Sequence, residues 1–186
     1  MPQNEDKSFD FERYRSYLSL LGRMQLDGRL AGKVDVSGVV QHTLLEALEQ
    51  RQVWQALEEV ARNAWIRQVF ARNLVNAVRR VRAKVRDVYR EQSLEAGLEQ
   101  SASRLNEWLA SDQPSPSQNA MREEGALRLA NALAQLPSDQ REAIELHHLQ
   151  SFTLSEVGAQ MARTKGAIAA LVFRGTKRLR ELLVEA

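Results

Sequence analysis

The chain contains no cysteine among its 186 residues, so disulfide bonds, thiolate metal sites and cysteine nucleophiles are excluded together. A reducing cytoplasm is the expected location. The N-terminal residues mix charged with apolar side chains and lack the continuous apolar segment of a signal peptide, and no later stretch has the length and apolar character of a membrane span. The sequence therefore predicts a cytoplasmic protein that is not inserted in a membrane.

Glycine and proline are scarce, at 9 and 4 residues, and the alternating β-branched runs that are typical of strands are missing. Alanine, leucine, glutamate, glutamine and arginine dominate, and these residues favour helices. Apolar residues recur at helical spacing through most of the chain, which predicts an all-α fold. The predicted inward-facing stripes consist of Phe11, Tyr14, Leu18 and Leu21 in the first helix; Val39, Val40, Thr43, Leu44, Ala47 and Leu48 in the second; Trp65, Ile66, Val69, Phe70, Asn73, Leu74, Ala77 and Val81 in the helix over 63–82; Leu154, Val157 and Met161 in the helix over 155–162; and Ile168, Leu171, Val172, Gly175, Leu179 and Leu182 in the last. The predicted helices cover residues 9–26, 36–50, 53–60, 63–82, 118–134, 138–149, 155–162 and 165–184, and a further helix is compatible with 93–110.

The few prolines mark a boundary, because Pro114 and Pro116 lie within one short polar run. Proline lacks an amide donor and restricts the residue before it, so this run cannot belong to a continuous helix. We therefore predict two helical domains, residues 1–90 and 118–186, joined by a linker at 91–117.

The chain is not uniformly basic, since its 26 basic residues are nearly balanced by 24 acidic ones. The basic residues are concentrated in residues 62–90, where Asp87 is the only acid, and in residues 163–180, which contain no acid. An acidic stretch separates them. A single basic run is as often a solvated helix face as a ligand-binding surface. Two runs in separate helical units favour a polyanionic ligand.

The strongest local signal lies in the C-terminal domain. Thr153 and Glu156 have the spacing of a capping box, which predicts a helix start. After a turn at residues 162–164, Thr164 is placed to cap a second, basic helix. This is the pattern of a helix-turn-helix, whose second helix can enter the major groove of DNA. The alternative for this motif alone is an ordinary helical hairpin.

Residues 136–143 (LPSDQREA), 152–158 (FTLSEVG) and 174–180 (RGTKRLR) resemble region 4 of the sigma-70 family of bacterial RNA polymerase subunits. Residues 35–45 (DVSGVVQHTLL) are similar to region 2.2, and residues 64–66 (AWI) with 70–74 (FARNL) to regions 2.3 and 2.4. Their order and spacing are similar to the compact two-domain type called extracytoplasmic-function (ECF) sigma factors.

The resemblance implies a sigma factor, which binds RNA polymerase core and directs it to promoter DNA to initiate transcription. Region 4 implies binding of the minus-35 element and the β flap, and the candidate DNA-binding residues are Arg163, Thr164, Lys165, Ala167, Ala169, Ala170, Arg174, Lys177 and Arg178. Regions 2.3 and 2.4 imply binding of the minus-10 element by Arg72, Asn73, Asn76, Arg79 and Arg80. Region 2.2 implies contact with the β′ clamp helices through Asp35, Val39, Gln41, His42 and Leu45. An anti-sigma factor is a further partner that the family allows.

The alanines of the recognition helix differ from the polar residues common in the family. We therefore expect this helix to recognise DNA through its shape and through contact with thymine methyl groups. Among the aromatic residues, Trp65 lies on an apolar stripe and is interpreted as a packing residue. Asn73 is the candidate for a base edge, and its basic neighbours are the candidates for the strand backbone.

No catalytic, metal or cofactor site is predicted. His42 lies far along the chain from His147 and His148, which are adjacent and cannot easily face one ion together, and the acid pairs accompany no nucleophile or cofactor motif. The residues alone are also compatible with two other functions. A helix-turn-helix regulator would bind duplex operator without polymerase, and a helical adaptor would show no salt-dependent DNA binding.

Overall fold

A computed structural model describes residues 11–26, 30, 32–81, 97, 100–101 and 117–185, and the structural statements below concern these residues. Within them the chain is helical and forms no strand, as the composition predicts. The helices are α1 (Phe11–Gln25), α2 (Val36–Glu49), α3 (Arg51–Ala56), α4 (Glu59–Val81), α5 (Ser117–Ala134), α6 (Ser138–Ile144), α7 (Leu154–Gln160) and α8 (Lys165–Glu185). The compatible helix over 93–110 lies largely outside the described residues.

The helices predicted over 53–60 and 138–149 differ most from the observed ones. The segment predicted as one helix over 53–60 ends at Ala56, because Leu57 is extended before α4 begins. The helix predicted over 138–149 changes at Glu145 into a π-helical turn, Glu145–Leu149, in which the Gln150 amide donates to the Glu145 carbonyl. The wider turn changes which side chains face inward. Single π turns occur often at functional positions of helices.

The N-terminal helices form a bundle in which α2 packs on α1 and α4. The predicted apolar stripe of α2 is buried from Val39 to Ala47, and it shares a core with Ile66, Phe70 and Leu74 of α4. Asp35 caps α2 by accepting from the Gly38 amide at 2.9 Å. Two members of the predicted stripes are exposed instead. Leu48 lies beside a surface groove and Val81 is the last residue of α4, so neither is covered by another helix.

An aromatic cluster closes one end of this bundle. The Trp54 ring lies edge-on to Tyr14 and Trp65, with centroids 5.1 and 5.8 Å away. The Tyr14 hydroxyl donates to Asn63 Oδ1 at 3.0 Å. Trp65 packs against the core, which confirms that it is a packing residue.

The C-terminal helices form the helix-turn-helix around a small core of their own. Its buried members are Ala143, Leu146, Val157, Ile168 and Leu171. Leu154 and Met161 pack on them as predicted. The inner face of α8 continues along Leu179 and Leu182, which belong to the larger core.

The larger core does not stop at the predicted linker. Leu127, Leu129 and Leu133 of α5 are buried in the same cluster as the residues of α1, and α1 and α5 are in contact. This explains why Tyr17 and Leu20 are buried in addition to the predicted stripe of α1. The predicted division into residues 1–90, 91–117 and 118–186 stays a prediction. Among the described helices, none is apolar enough over a sufficient length to cross a membrane.

Candidate nucleic-acid interface

The capping box predicted at the start of α7 is confirmed. Thr153 Oγ1 accepts from the Glu156 amide at 3.3 Å, and Glu156 Oε2 accepts from the Thr153 amide at 2.8 Å. These two bonds satisfy donors that a helix start otherwise leaves unpaired. The Thr153 amide, and then its hydroxyl, hold the pKa of Glu156 below its ordinary value.

The turn between α7 and α8 is compact. The Arg163 amide donates to the Gly158 carbonyl at 2.9 Å, and Ala162 has a left-handed backbone with φ of 52°. Thr164 Oγ1 then accepts from the Ala167 amide at 3.2 Å, which confirms Thr164 as the cap of α8. The two helices of the motif are therefore joined by a defined turn with its polar groups paired.

Gly158 is required by the close approach of this turn. A Cβ at this position would lie 2.7 Å from the Arg163 carbonyl oxygen, and that oxygen belongs to backbone that cannot rotate away. This role of Gly158 was not predicted from the sequence. The available signal was a glycine inside a short helix that precedes a turn.

We expect Gly158→Ala to destabilise the helix-turn-helix, although alanine ordinarily favours helices. The added methyl must push the turn outward, at a cost of about 1–3 kcal/mol, the range of other overpacking substitutions. Thermal unfolding followed by circular dichroism would measure the loss. Gly166→Ala is the matched control, because a Cβ there meets no atom within 4 Å; equal melting temperatures for the two variants would contradict the role assigned to Gly158.

The capping box also predicts a pH dependence. The lowered pKa of Glu156 means that its carboxylate stabilises the folded state above the unfolded pKa, and that this contribution disappears as the pH falls through the folded pKa. Glu156→Ala is therefore expected to lower the melting temperature at pH 7, and this effect is expected to begin to shrink below about pH 4 and to shrink further as the pH falls through the lowered pKa of the folded state. Paired melting curves at several pH values test this. A deficit that does not change with pH would show that the charge of Glu156 is not involved.

Over residues 165–177, the outer face of α8 has cations at both ends and apolar residues between them. Lys165, Ala169, Arg174 and Lys177 are exposed, while Ala167 and Ala170 are half-buried. Two other candidate cations have acidic neighbours: Arg163 lies 3.7 Å from Asp139, and Arg178 bonds Glu181 at 3.0 Å.

Phe173 is a surface residue of α8 that was not predicted from the sequence. It is 74% exposed, although large aromatic side chains are usually covered. Its position four residues after Ala169 and four before Lys177 places it on the same helix face. The sequence does contain a signal for Phe173, because it is an aromatic residue outside the inward-facing stripe of a recognition helix.

The candidate minus-10 residues lie along α4, and they fall into two groups. Arg72, Asn76, Arg79 and Arg80 are exposed. Asn73 is buried, and its Nδ2 donates to Thr43 Oγ1 at 3.2 Å and to Glu46 Oε2 at 3.1 Å. The expected contact between Asn73 and a base edge therefore does not fit its position, because the amide is already engaged inside the bundle.

Glu46 links this surface to α2, because its carboxylate binds both Asn73 and the Arg72 guanidinium. Burial raises the pKa of Glu46, but the hydrogen bonds from Asn73 and Arg72 outweigh it and leave the pKa below its ordinary value. The carboxylate is therefore ionised at neutral pH and orients Arg72 at the surface of α4.

The candidate polymerase-binding residues lie on α2. Asp35, Gln41, His42 and Leu45 are exposed, whereas Val39 is buried in the core. A cleft between the start of α2 and the end of α4 brings Asp35 and His42 together with Arg80. On the other side, Leu45 and Leu48 line a shallow groove with Arg15 and Gln41.

Histidines and acids form no metal site in the part of the chain that the structure describes. The His147 and His148 rings contact each other, with centroids 4.8 Å apart, and His147 Nδ1 lies 2.8 Å from the Phe152 carbonyl. Burial, and then the neighbouring His147, lower the pKa of His148. Both residues are thus explained by packing and hydrogen bonding within the helix-turn-helix.

An all-α fold with basic surfaces on two helices, one of them in a capped helix-turn-helix, places the chain in the class of helical DNA-binding proteins. Residues 126–179 match the family model described as Sigma-70, region 4. The chain is also 30% identical over 181 residues to the ECF RNA polymerase sigma factor SigF of Caulobacter vibrioides (strain NA1000 / CB15N), covering 95% of this chain and 89% of that relative. A comparison with solved structures finds no match.

This chain therefore belongs to the ECF group of sigma-70 family RNA polymerase sigma factors. It functions in promoter recognition and transcription initiation by RNA polymerase, and its partners are the polymerase core and promoter DNA. The operator-binding regulator and the adaptor are not favoured by the family. The family points to a non-enzymatic role.

Proposed function

We propose that α8 and the turn before it bind the minus-35 element, with phosphates bound by basic side chains. The observation that carries this proposal is the exposed cationic face of α8 in a capped helix-turn-helix. The proposed contact residues are Arg163, Thr164, Lys165, Ala167, Ala169, Ala170, Phe173, Arg174, Lys177 and Arg178.

Base reading by this surface rests on apolar contact and DNA shape. Alanine and phenylalanine offer no hydrogen bonds, but both can contact the thymine methyl group in the major groove. Ala169 and Phe173 lie one turn apart on the exposed face, so together they cover successive positions of one groove. The cations then set the position of the helix along the phosphate backbone.

The minus-10 element is proposed to bind the exposed side of α4. Arg72, Asn76, Arg79 and Arg80 supply contacts to the strand backbone. Asn73 has a positioning role instead, since it ties α4 to Thr43 and Glu46 of α2. The minus-10 surface is thereby held in a fixed relation to the polymerase-binding helix.

Core polymerase is proposed to bind α2 through its β′ clamp helices. The exposed residues Asp35, Gln41, His42 and Leu45 form this surface, and Val39 supports it from the core. The β flap is proposed to bind the C-terminal domain, and an anti-sigma factor remains a proposed partner. The functional units are residues 1–90, a linker at 91–117 and residues 118–186, and the proposed location is the cytoplasm.

The experiment that tests these assignments uses purified protein and sigma-free core polymerase. Co-elution in size exclusion chromatography and promoter-specific run-off transcripts from a genomic promoter library are expected. The transcript start sites would also identify the two promoter elements. A protein that shifts a palindromic duplex but neither binds core polymerase nor produces transcripts would contradict the proposal.

A further inference from the structure

The cleft between the start of α2 and the end of α4 has basic side chains on both of its sides. Lys33 and His42 lie on the α2 side, and Arg80 lies on the α4 side. All three side chains are exposed. Neither Lys33 nor Arg80 has an acidic partner within the part of the chain that the structure describes. Two separate elements therefore bring cations to one concave surface.

The acids near this cleft are already engaged. Asp35 also lines it, and Asp35 Oδ1 accepts from the Gly38 amide at 2.9 Å as the cap of α2. Glu46 lies one turn after His42, and its carboxylate accepts from two side chains of α4. The charges that remain available to a ligand are thus the cations, and they favour an anion.

Between the cations the cleft is lined by apolar side chains. Val34 and Val39 come from the α2 side, and Ala77 and Val81 come from α4. Val81 is 40% exposed, and a molecule in the cleft would cover it. The volume is about 480 Å³, within the range of roughly 300–1,000 Å³ that is common for small-molecule sites. Such a cleft suits an anion that also has an apolar part.

A row of polar side chains on α4 leads into this cleft. Arg72, Asn76 and Arg80 follow one another at intervals of four residues, so they lie on one face of the helix, and all three are exposed. The helix rises by about 12 Å between Arg72 and Arg80. This is the axial length of roughly three nucleotides of a DNA strand at about 3.4 Å each. A strand that follows the row would therefore reach the cleft with one of its phosphates.

We propose that the cleft is a nucleotide-binding site. Lys33 and Arg80 bind the phosphate through charge-assisted hydrogen bonds, His42 donates to it, and the sugar or base packs on the apolar side chains. The inference rests on the proposed assignment of α4 to the minus-10 element. It extends the DNA surface to the turn before α2, to which the sigma resemblance assigns no contact. A nucleotide of a strand and a free nucleotide share this chemistry, and the row on α4 favours the strand.

Lys33→Ala tests the site in complexes reconstituted with core polymerase, because Lys33 belongs to no other proposed surface. We expect the affinity for promoter DNA to fall about tenfold, as for the loss of one hydrogen bond to a charged group. The slope of log affinity against log salt should become shallower by roughly 0.7–0.9, the contribution of one phosphate contact. Binding to core polymerase should be unchanged.

Arg51→Ala is the matched control, since it removes one positive charge from an exposed position of α3. It should leave both the affinity and the salt slope close to those of the wild type. If Lys33→Ala and Arg51→Ala behave alike, no phosphate is bound by Lys33 and the site is overturned.

A double variant shows whether the two cations bind the same phosphate. We expect Lys33→Ala/Arg80→Ala to lose clearly less affinity for promoter DNA than the product of the two single losses. A phosphate that has lost one cation is no longer held in place for the other, and substitutions with a shared partner are not additive. Single losses that multiply would place the two residues at separate phosphates and would overturn the proposal.

Mononucleotides distinguish the two sources of the ligand. Thermal unfolding of the full-length chain would be followed with added deoxyadenosine monophosphate, thymidine monophosphate or inorganic phosphate. A nucleotide-dependent rise in melting temperature that is lost in Lys33→Ala supports a site that also accepts free nucleotides. No rise, combined with the tenfold loss in DNA binding, supports a site for a strand nucleotide alone. An equal rise with inorganic phosphate would contradict the role of the apolar side chains.

Failure of the cleft and failure of the proposed function have different signatures. Wild-type complexes that do not bind promoter DNA would contradict the proposed function, and the mononucleotide titration would then decide the cleft. Normal promoter binding that does not depend on Lys33, together with no effect of mononucleotides, would overturn the cleft alone.

Discussion

Arg174→Glu/Lys177→Glu is expected to reduce promoter-specific transcription at least a hundredfold while leaving binding to core polymerase unchanged. Both side chains are exposed on the outer face of α8, so their replacement does not disturb the core. Protein–DNA affinity depends strongly on the number of phosphates that cations neutralise, and each contact contributes about 0.9 to the slope of log affinity against log salt. Reversing two charges removes two contacts and adds repulsion from the phosphates.

The measurement is run-off transcription at several salt concentrations, together with size exclusion to verify that polymerase is still bound. Arg51→Glu/Arg128→Glu is the matched control, since it makes the same change in net charge at exposed arginines of α3 and α5. Equal losses in the two double variants would show that total charge, rather than the face of α8, determines DNA binding.

Leu45→Glu is expected to abolish stable association with core polymerase. Leu45 is 59% exposed on α2, although most leucines of the described chain are buried. A hot-spot residue at the centre of an interface contributes about 2 kcal/mol or more, which is close to thirtyfold in affinity. A glutamate at this position would also bring a desolvated charge to the interface.

Affinity for core polymerase would be measured with labelled protein, and the fold would be verified by thermal unfolding. Val53→Glu is the matched control, because Val53 is 49% exposed on α3, outside the proposed surface. If Leu45→Glu binds as tightly as Val53→Glu, the region 2.2 surface has been assigned to the wrong face of α2.

The local elements were predictable because their determinants are close together in the chain. The Thr153–Glu156 spacing was sufficient for the capping box, since both of its hydrogen bonds close within one helical turn. The inner face of α8 followed from apolar periodicity, and Ile168, Leu171 and Leu179 are buried as expected. Membership of the sigma family was likewise predictable from ordered short motifs, and the comparisons confirm it.

The positions that differ from the expectations depend on distant partners. Asn73 was predicted to contact a base edge and Arg67 belongs to the basic run of residues 62–90, but the structure gives each a buried role through residues 27 to 56 positions away. Leu48 continues an apolar stripe and is nevertheless exposed, because no helix covers the end of α2. Periodicity identifies a face that is suited to burial, and it does not identify the element that covers the face.

By itself, the sequence determined the helical class, the capped helix-turn-helix, the two basic regions and the family. Only the tertiary structure decided that α1 is covered on a second side by α5 and that Arg23 meets Glu145 across 122 positions. Capping and amphipathic periodicity are local, and they are encoded within one or two helical turns. The packing of α5 on α1 depends on which apolar and charged surfaces meet when the whole chain is folded. The residue spacing within either helix does not identify the helix that packs against it.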